Sequence, residues 1–206
     1  VLGHGHYSAN SSIRVRLLAF GKEDPGEALL ERRIEAALAR RRDHPLLTET
    51  TGLRLVNSES DGLPGLVVDR MGDVLVVKFL TAGMHARAER IARCLEELTD
   101  APHGYRRRDD TSARREGISP DEGVLWGNPS GLAAFEERGR RYAVDFMQGQ
   151  KTGFYLDQRD ARDLVQGLAG GRRTLDVFSY TGGFAVAAGR GGAKGLVLVD
   201  SSQAAL

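Results

Sequence analysis

The chain has 206 residues, 29 basic and 28 acidic side chains, a formal net charge of +1 and a single cysteine, Cys94. That length allows one large domain or two small ones, and one cysteine excludes an internal disulfide framework or a multi-cysteine zinc or iron–sulfur site. The sequence has no apolar run of membrane-spanning length and its first twenty residues have no secretory pattern, so a cytoplasmic protein is expected.

The near-neutral total supports no overall nucleic-acid field, although 25 of the basic residues are arginine, clustered at 40–42, 106–108 and 114–115. Residues 11–20, SSIRVRLLAF, alternate Ile13, Val15 and Leu17 with Arg14, Arg16 and Leu18, the period of a half-buried strand. With no partner strand read before it, this segment is expected to end a β domain that begins upstream. Residues 23–44 then put Leu30, Ile34, Ala37 and Leu38 on one stripe, between Pro25 and Pro45, which predicts a connecting helix.

From residue 53 the pattern changes. LRLVNSE, GLVVDR and DVLVVKFL, broken by SDGLPG and MGD, predict an antiparallel meander with a tight hairpin at Gly72. MHARAERIARCLEEL predicts a helix with Ala88, Ile91, Leu95 and Leu98 inward, and FEERGRRYAVDF a second hairpin turning near Gly139. Residues 109–131, rich in glycine, proline and polar residues, read as a long loop with at most a short strand at 124–126.

Beyond Met147 the order is helix (DQRDARDLVQGL), strand (RTLDVF), turn, helix (FAVAAGRG) and strand (GLVLVD), the opening of a parallel, doubly wound sheet. The fold class is therefore α/β, an α+β central domain followed by the start of a parallel sheet. The expected divisions are 1–20, a β remnant; 21–50, a helical linker; 51–147, the central domain; and 148–206. The first residue is not methionine and the last, DSSQAAL, read as a helix beginning, so the chain is expected to be an excerpt of a longer protein.

The turn in LDVFSYTGGFAV, residues 175–186, is where chemistry is expected, because ligands of such sheets lie at the carboxyl ends of the strands beside a helix amino terminus. A dinucleotide site would need G-x-G-x-x-G; this turn offers only Gly182 and Gly183, with Phe178 and Tyr180 in place of small residues. S-adenosylmethionine carries no phosphate and tolerates such bulk. Asp200 ends the next strand, 24 residues after Asp176, where a carboxylate can accept from both ribose hydroxyls. A second constellation, GQKTGFYLDQRDAR at 149–162, gathers a glycine turn, two aromatics and the charges of Lys151, Asp157 and Arg159 just before a helix.

KTGFYLDQR and LDVFSYTGGFAV together closely resemble the class I S-adenosylmethionine-dependent methyltransferases that act on the 5-position of a cytosine in large-subunit ribosomal RNA. GHYSANSSIRVR, SESDGLPGLVVDR, RREG and FEERGRRYAVDF are similar to the same family in the same order, so the resemblance covers nearly the whole chain. It implies an amino-terminal PUA RNA-binding domain, of which residues 1–20 are the tail, a central α/β domain, and a Rossmann-like methyltransferase domain that 148–206 open.

It also implies S-adenosylmethionine as cofactor and a set of contacts to it: Phe178, Ser179, Tyr180, Thr181, Gly182 and Gly183 lining it, Asp200 on the ribose, and Gln158 with Arg159 on the methionine side. Lys151, Thr152, Gly153 and Phe154 are expected nearby, with Asp176 and Ser201 completing the candidates. Ribosomal RNA is the implied partner, a homodimer is left open and no membrane is implied. Arg14, Arg16, Arg106, Arg107 and Arg108 are the candidate RNA contacts.

The implied reaction begins with a cysteine thiolate adding to cytosine. Cys94, beside an apolar helical stripe, reads as a packing residue. No catalytic residue is therefore assigned within the 206, the family's cysteine is expected after Leu206, and this excerpt by itself is expected to be inactive, with a sheet edge and an apolar face awaiting the rest of the protein. His4 and His6 fall short of a closed zinc site, so no metal is expected. The alternatives are a non-catalytic RNA-binding module, a methyltransferase for another substrate, and a nicotinamide enzyme, the last disfavoured by the missing glycines.

Overall fold

A computed structural model describes residues 1–44, 47, 49–149 and 152–202. The chain divides into two compact units, 1–48 with 52–130, and 49–51 with 131–206.

The first unit opens with β1 (Gly3–Tyr7) paired antiparallel to β2 (Val15–Phe20). The strand at 11–20 was expected to lack an upstream partner; β1 is that partner. Its glycines hid it, since glycine is a poor strand former, yet here they are required: a Cβ on Gly5 would lie 2.2 Å from the Arg16 carbonyl oxygen at a bulge. The inward face also differs from the alternation read in the sequence. Val15 and Leu17 are about half exposed, while Leu18 and Ala19 are buried. The segment before Val15 is a loop whose backbone is tied by Ser8 and Ser11 hydroxyls.

Helix α1 (Glu27–Arg42) buries all four residues of the expected stripe. Its Arg40 and Arg41 close on the buried carboxylate of Asp61 at 2.6 and 2.7 Å. Strands β3 (Gly52–Asn57), β4 (Leu66–Met71) and β5 (Val74–Phe79) form the expected meander, with Gly72 at φ 59° in the two-residue turn. The helix expected across 84–98 is two pieces, a single turn α2 (Ala82–His85) capped by the Thr81 hydroxyl, and α3 (Ala88–Leu98).

Helix α3 carries the chain to β6 (His103–Arg106), parallel to β5, a strand concealed by its brevity and its glycine. The expected long loop holds a further helix, α4 (Asp110–Glu116), which starts on the Asp109 side chain and stops at Gly117, φ 67°. The short strand expected at 124–126 is β7 (Gly123–Trp126), so the sheet order is β3-β4-β5-β6-β7. Ile34, Val56, Val68, Leu75, Val77, Ile91 and Leu95 form the core between this sheet and α1 and α3.

The second unit begins with hairpin β8 (Leu132–Glu137) and β9 (Arg140–Asp145), turning at Arg138–Gly139 as expected. Its ion pairs run to α5 (Arg159–Leu168), through Glu137, Arg138 and Arg140. Strand β10 (Arg173–Val177), α6 (Gly183–Arg190) and β11 (Gly195–Val199) follow, and β10 and β11 pair in parallel with Leu175 opposite Val197. This is the expected opening of a Rossmann-like sheet. Leu175 is 62% and Val197 49% exposed.

Candidate functional site

The turn from β10 to α6 is held in a conformation few sequences adopt. Phe178 and Tyr180 have φ of 61° and 50°, each costing about 1–2 kcal/mol for a residue with a Cβ, and Gly182 at 71° precedes the helix. Three interactions hold it there. The Ser179 N–H donates to the Val199 carbonyl at 3.1 Å, the Gly182 N–H to the Ser179 carbonyl at 2.8 Å, and the Tyr180 N–H to Oδ2 of Asp200 at 2.8 Å.

The two strand-end carboxylates differ in environment. Asp200 also accepts from the Ser202 N–H at 2.7 Å, and the Ser202 and Tyr180 donors hold its carboxyl below the usual range. Asp176 accepts from the Ala185 N–H at 3.1 Å at the start of α6. Burial pushes it up against that bond, and the Asp200 charge adds to the rise. Ser179 is 5% exposed, and its hydroxyl has no hydrogen-bond partner among the described residues. A buried hydroxyl left unmatched is costly unless a ligand supplies the match.

Beneath the turn lies Glu137, fully buried. Its carboxylate receives Nε and Nη2 of Arg162 at 2.8 and 2.6 Å, Nη2 of Arg140 at 3.0 Å, and the Arg159 guanidinium at 3.4 Å. Burial alone would raise the Glu137 pKa; the Arg162 bonds and the three positive charges outweigh it and hold it low. The rings of Phe135, Tyr142 and Phe154 pack together with centroids 4.8 to 5.3 Å apart, and the Arg162 guanidinium stands 4.7 Å over Phe154.

Of these groups Arg162 and Phe154 border a cleft of about 350 Å³. Of the residues expected at a cofactor site, Phe154, Gln158, Phe178, Ser179, Tyr180, Thr181, Gly183 and Asp200 line it. Asp176, Gly182, Gly153, Thr152 and Arg159 are outside the lining. Asp176 braces α6, Gly182 shapes the turn, the Gly153 carbonyl receives the Tyr180 hydroxyl at 3.1 Å, and Thr152 is buried. Arg159 turns to Glu137, while Ser201, next to Asp200, is exposed outside the lining; Lys151 lies outside the described residues.

Tyr155, Arg162 and Phe184 line the cleft but were not among the expected residues. All three sit inside the stretches 149–162 and 175–186 quoted above. Arg162 lies one helical turn beyond Arg159, and that spacing is the signal that could have found it.

The five arginines expected to meet RNA are engaged within the first unit. Arg16 pairs with Glu116 at 2.9 Å, Arg106 with Asp121 at 3.2 Å, Arg107 with Glu122 and Arg108 with Asp110 at 2.8 Å; Arg14 donates to the Ala9 carbonyl. Cys94 is buried, and burial together with the Glu31 charge pushes its thiol up to about 11, which disfavours the thiolate form. Among the described residues no group of three metal-ligating side chains occurs, and no helix is long and apolar enough to cross a membrane.

A family model described as S-adenosylmethionine-dependent methyltransferase matches residues 58–206. The chain belongs to that family. It is 41% identical over 206 residues to ribosomal RNA large subunit methyltransferase I of Alteromonas mediterranea, covering all of this chain and 52% of the relative. The chain thus spans about half the length of the curated relatives it matches.

Among solved structures, one from Streptococcus mutans described as an S-adenosylmethionine-dependent methyltransferase matches with TM-score 0.82 at 24% identity, over 99% of this chain and 53% of its own. One described as a methyltransferase complexed with SAH matches with TM-score 0.83 at 24% identity, over 99% and 52%. These likenesses speak to the fold.

The cleft fits the methyltransferase cofactor on its own chemistry. It offers a carboxylate at the strand end for a diol, an unmatched buried hydroxyl, and aromatic walls. Its glycines are too few for a diphosphate.

Proposed function

We propose that the protein carrying this chain binds S-adenosylmethionine in the cleft at the ends of β10 and β11 and methylates the 5-position of a cytosine in large-subunit ribosomal RNA. The observation that carries the reading is the buried, unmatched Ser179 hydroxyl beside Asp200, in a cleft that lacks a diphosphate loop. The 41% identity to a ribosomal RNA large subunit methyltransferase I supports the acceptor. The cofactor supplies an electrophilic methyl on a sulfonium.

The chain's own residues bind and orient. Asp200, ionised at neutral pH, accepts from ribose hydroxyls; Ser179 donates or accepts at the base of the turn; Gln158 faces the amino-acid end. Tyr155, Phe178 and Phe184 exclude water with their rings. The strained Phe178 and Tyr180 backbone leaves the 85%-exposed Phe178 ring free to cover a ligand. Cys94 takes no part, so attack on cytosine requires a thiolate other than this one.

Calorimetric titration of the full-length protein with S-adenosylhomocysteine and with NADH, followed by methyl transfer to ribosomal RNA and mapping of the product, tests the reading. Micromolar binding of the first, none of the second, and 5-methylcytosine are expected. Binding of NADH alone, or a product other than 5-methylcytosine, would overturn it.

A further inference from the structure

Arg162 makes three kinds of contact at the base of the cleft. It is 1% exposed, yet part of the cleft wall. Its Nε and Nη2 engage both oxygens of Glu137 at 2.8 and 2.6 Å, tying α5 to the end of β8. Its Nη1 donates to the Tyr155 carbonyl at 2.9 Å. Its Cζ stands over the Phe154 ring, 4.7 Å from the centroid, and a Cβ on Gly183, the first residue of α6, would meet Phe154 at 3.2 Å and Arg162 Cδ at 3.7 Å.

Fold maintenance alone does not call for a guanidinium here. Three arginines converge on one carboxylate in a buried place, and an apolar side chain of similar volume is often as stabilising as a buried ion pair. What a hydrocarbon cannot supply is the directional bond to the Tyr155 carbonyl and the flat surface for Phe154. Tyr155 in turn meets Tyr180 edge-on, with centroids 5.7 Å apart and planes at 88°. Tyr180 donates through its hydroxyl to the Gly153 carbonyl and through its N–H to Asp200. A line of contacts therefore runs from Glu137 through Arg162, Tyr155 and Tyr180 to the Asp200 carboxylate.

We propose that Glu137 and Arg162 are positioning residues for cofactor binding: the pair fixes the Phe154–Tyr155 wall and, through Tyr180, the placing of Asp200. The proposal rests on the reading of the cleft as an S-adenosylmethionine site. It assigns to Arg162 no contact with the reacting atoms.

Arg162→Met in the full-length protein is the informative change, because Glu137 keeps Arg140 and Arg159 as partners and the volume is retained. The Kd for S-adenosylhomocysteine and the KM for S-adenosylmethionine should each rise about tenfold or more with kcat within about twofold, since a misplaced wall weakens binding before chemistry. The KM for RNA should be unchanged. A merely structural role gives the opposite split: kcat falls with the folded fraction while Kd and KM stay within twofold, and that result overturns the proposal. If Arg162→Met shows no cooperative unfolding transition, Arg162→Lys, which keeps the charge but loses the plane and the fork, decides on the same terms; unchanged Kd again overturns it. Failure of the wild-type protein to bind S-adenosylhomocysteine would instead refute the underlying reading of the site.

Discussion

Mild acid should weaken the first unit through buried histidine, and His6 gives the clearest case. Its ring lies on the backbone of α2, where a Cβ on Gly83 would be 2.0 Å from ring atoms. Both ring nitrogens are buried and have no hydrogen-bond partner among the described residues. Burial, with the Arg87 charge, pushes its pKa from 6.5 down to about 4. The folded chain therefore keeps the ring neutral at a pH where the unfolded chain takes a proton. Its contribution is complete above pH 6.5 and is lost as the pH falls from there towards 4.

Linkage between the two values gives about 2 kcal/mol at pH 5. The ring is only partly withdrawn from solvent, which reduces the figure to about 1 kcal/mol. Trp126, the one tryptophan, is 8% exposed in the same unit and reports its unfolding. In urea, wild type should lose about 1 kcal/mol more than His6→Phe between pH 7.5 and 5. His85, also lowered by burial and by the Arg106 charge, is common to both proteins and cancels. Equal losses in the two would show that the ring is protonated as readily in the folded state as out of it, and the reasoning would be refuted.

Two further outcomes concern the strand-end carboxylates. Asp200→Asn offers one oxygen to the two N–H groups of Tyr180 and Ser202 and removes the charge facing a diol; binding of S-adenosylhomocysteine by the full-length protein should weaken about tenfold or more in calorimetry, and unchanged affinity would remove Asp200 from the site. Asp176→Asn keeps an acceptor for the Ala185 N–H while discharging a carboxylate whose pKa is raised by burial and by the Asp200 charge. Its thermal midpoint at pH 7.5 should exceed wild type by about 2 °C. The gain should shrink as the pH falls and wild-type Asp176 takes up a proton, and a lower midpoint would contradict the assignment.

Where periodicity was strong, sequence and structure agree. The α1 stripe, the β3–β5 meander, the hairpin at Gly139 and the β10–α6–β11 unit all follow from side-chain spacing plus glycine at the turns. Disagreements fall where a long-range contact overrides the local signal. β1 looks like a loop because its glycines lower strand propensity, and only the close approach of the Ala19 and Arg16 carbonyls explains them. β2 turns Leu18 and Ala19 inward, and Arg16 is drawn towards the buried Glu116. α4 was hidden in a polar stretch whose Asp109 and Gly117 are its two caps. Arg106 and Arg107, read as candidate RNA contacts, also have the carboxylate partners Asp121 and Glu122, which a one-dimensional reading could not pair with them.

The sequence by itself determined the kind of protein: apolar spacing set the α/β order, and the glycine pair with Phe178, Tyr180 and Asp200 around a strand-to-helix turn marked a cofactor without phosphate. Those signals are local, carried by residues a few positions apart. Only the tertiary structure decided which side chains line the cleft and which stand behind it, because Glu137 on β8, the Tyr155–Arg162 stretch and the Phe178–Tyr180 turn come from three separate segments. Their association depends on burial and charge balance, and neither quantity exists before the chain folds.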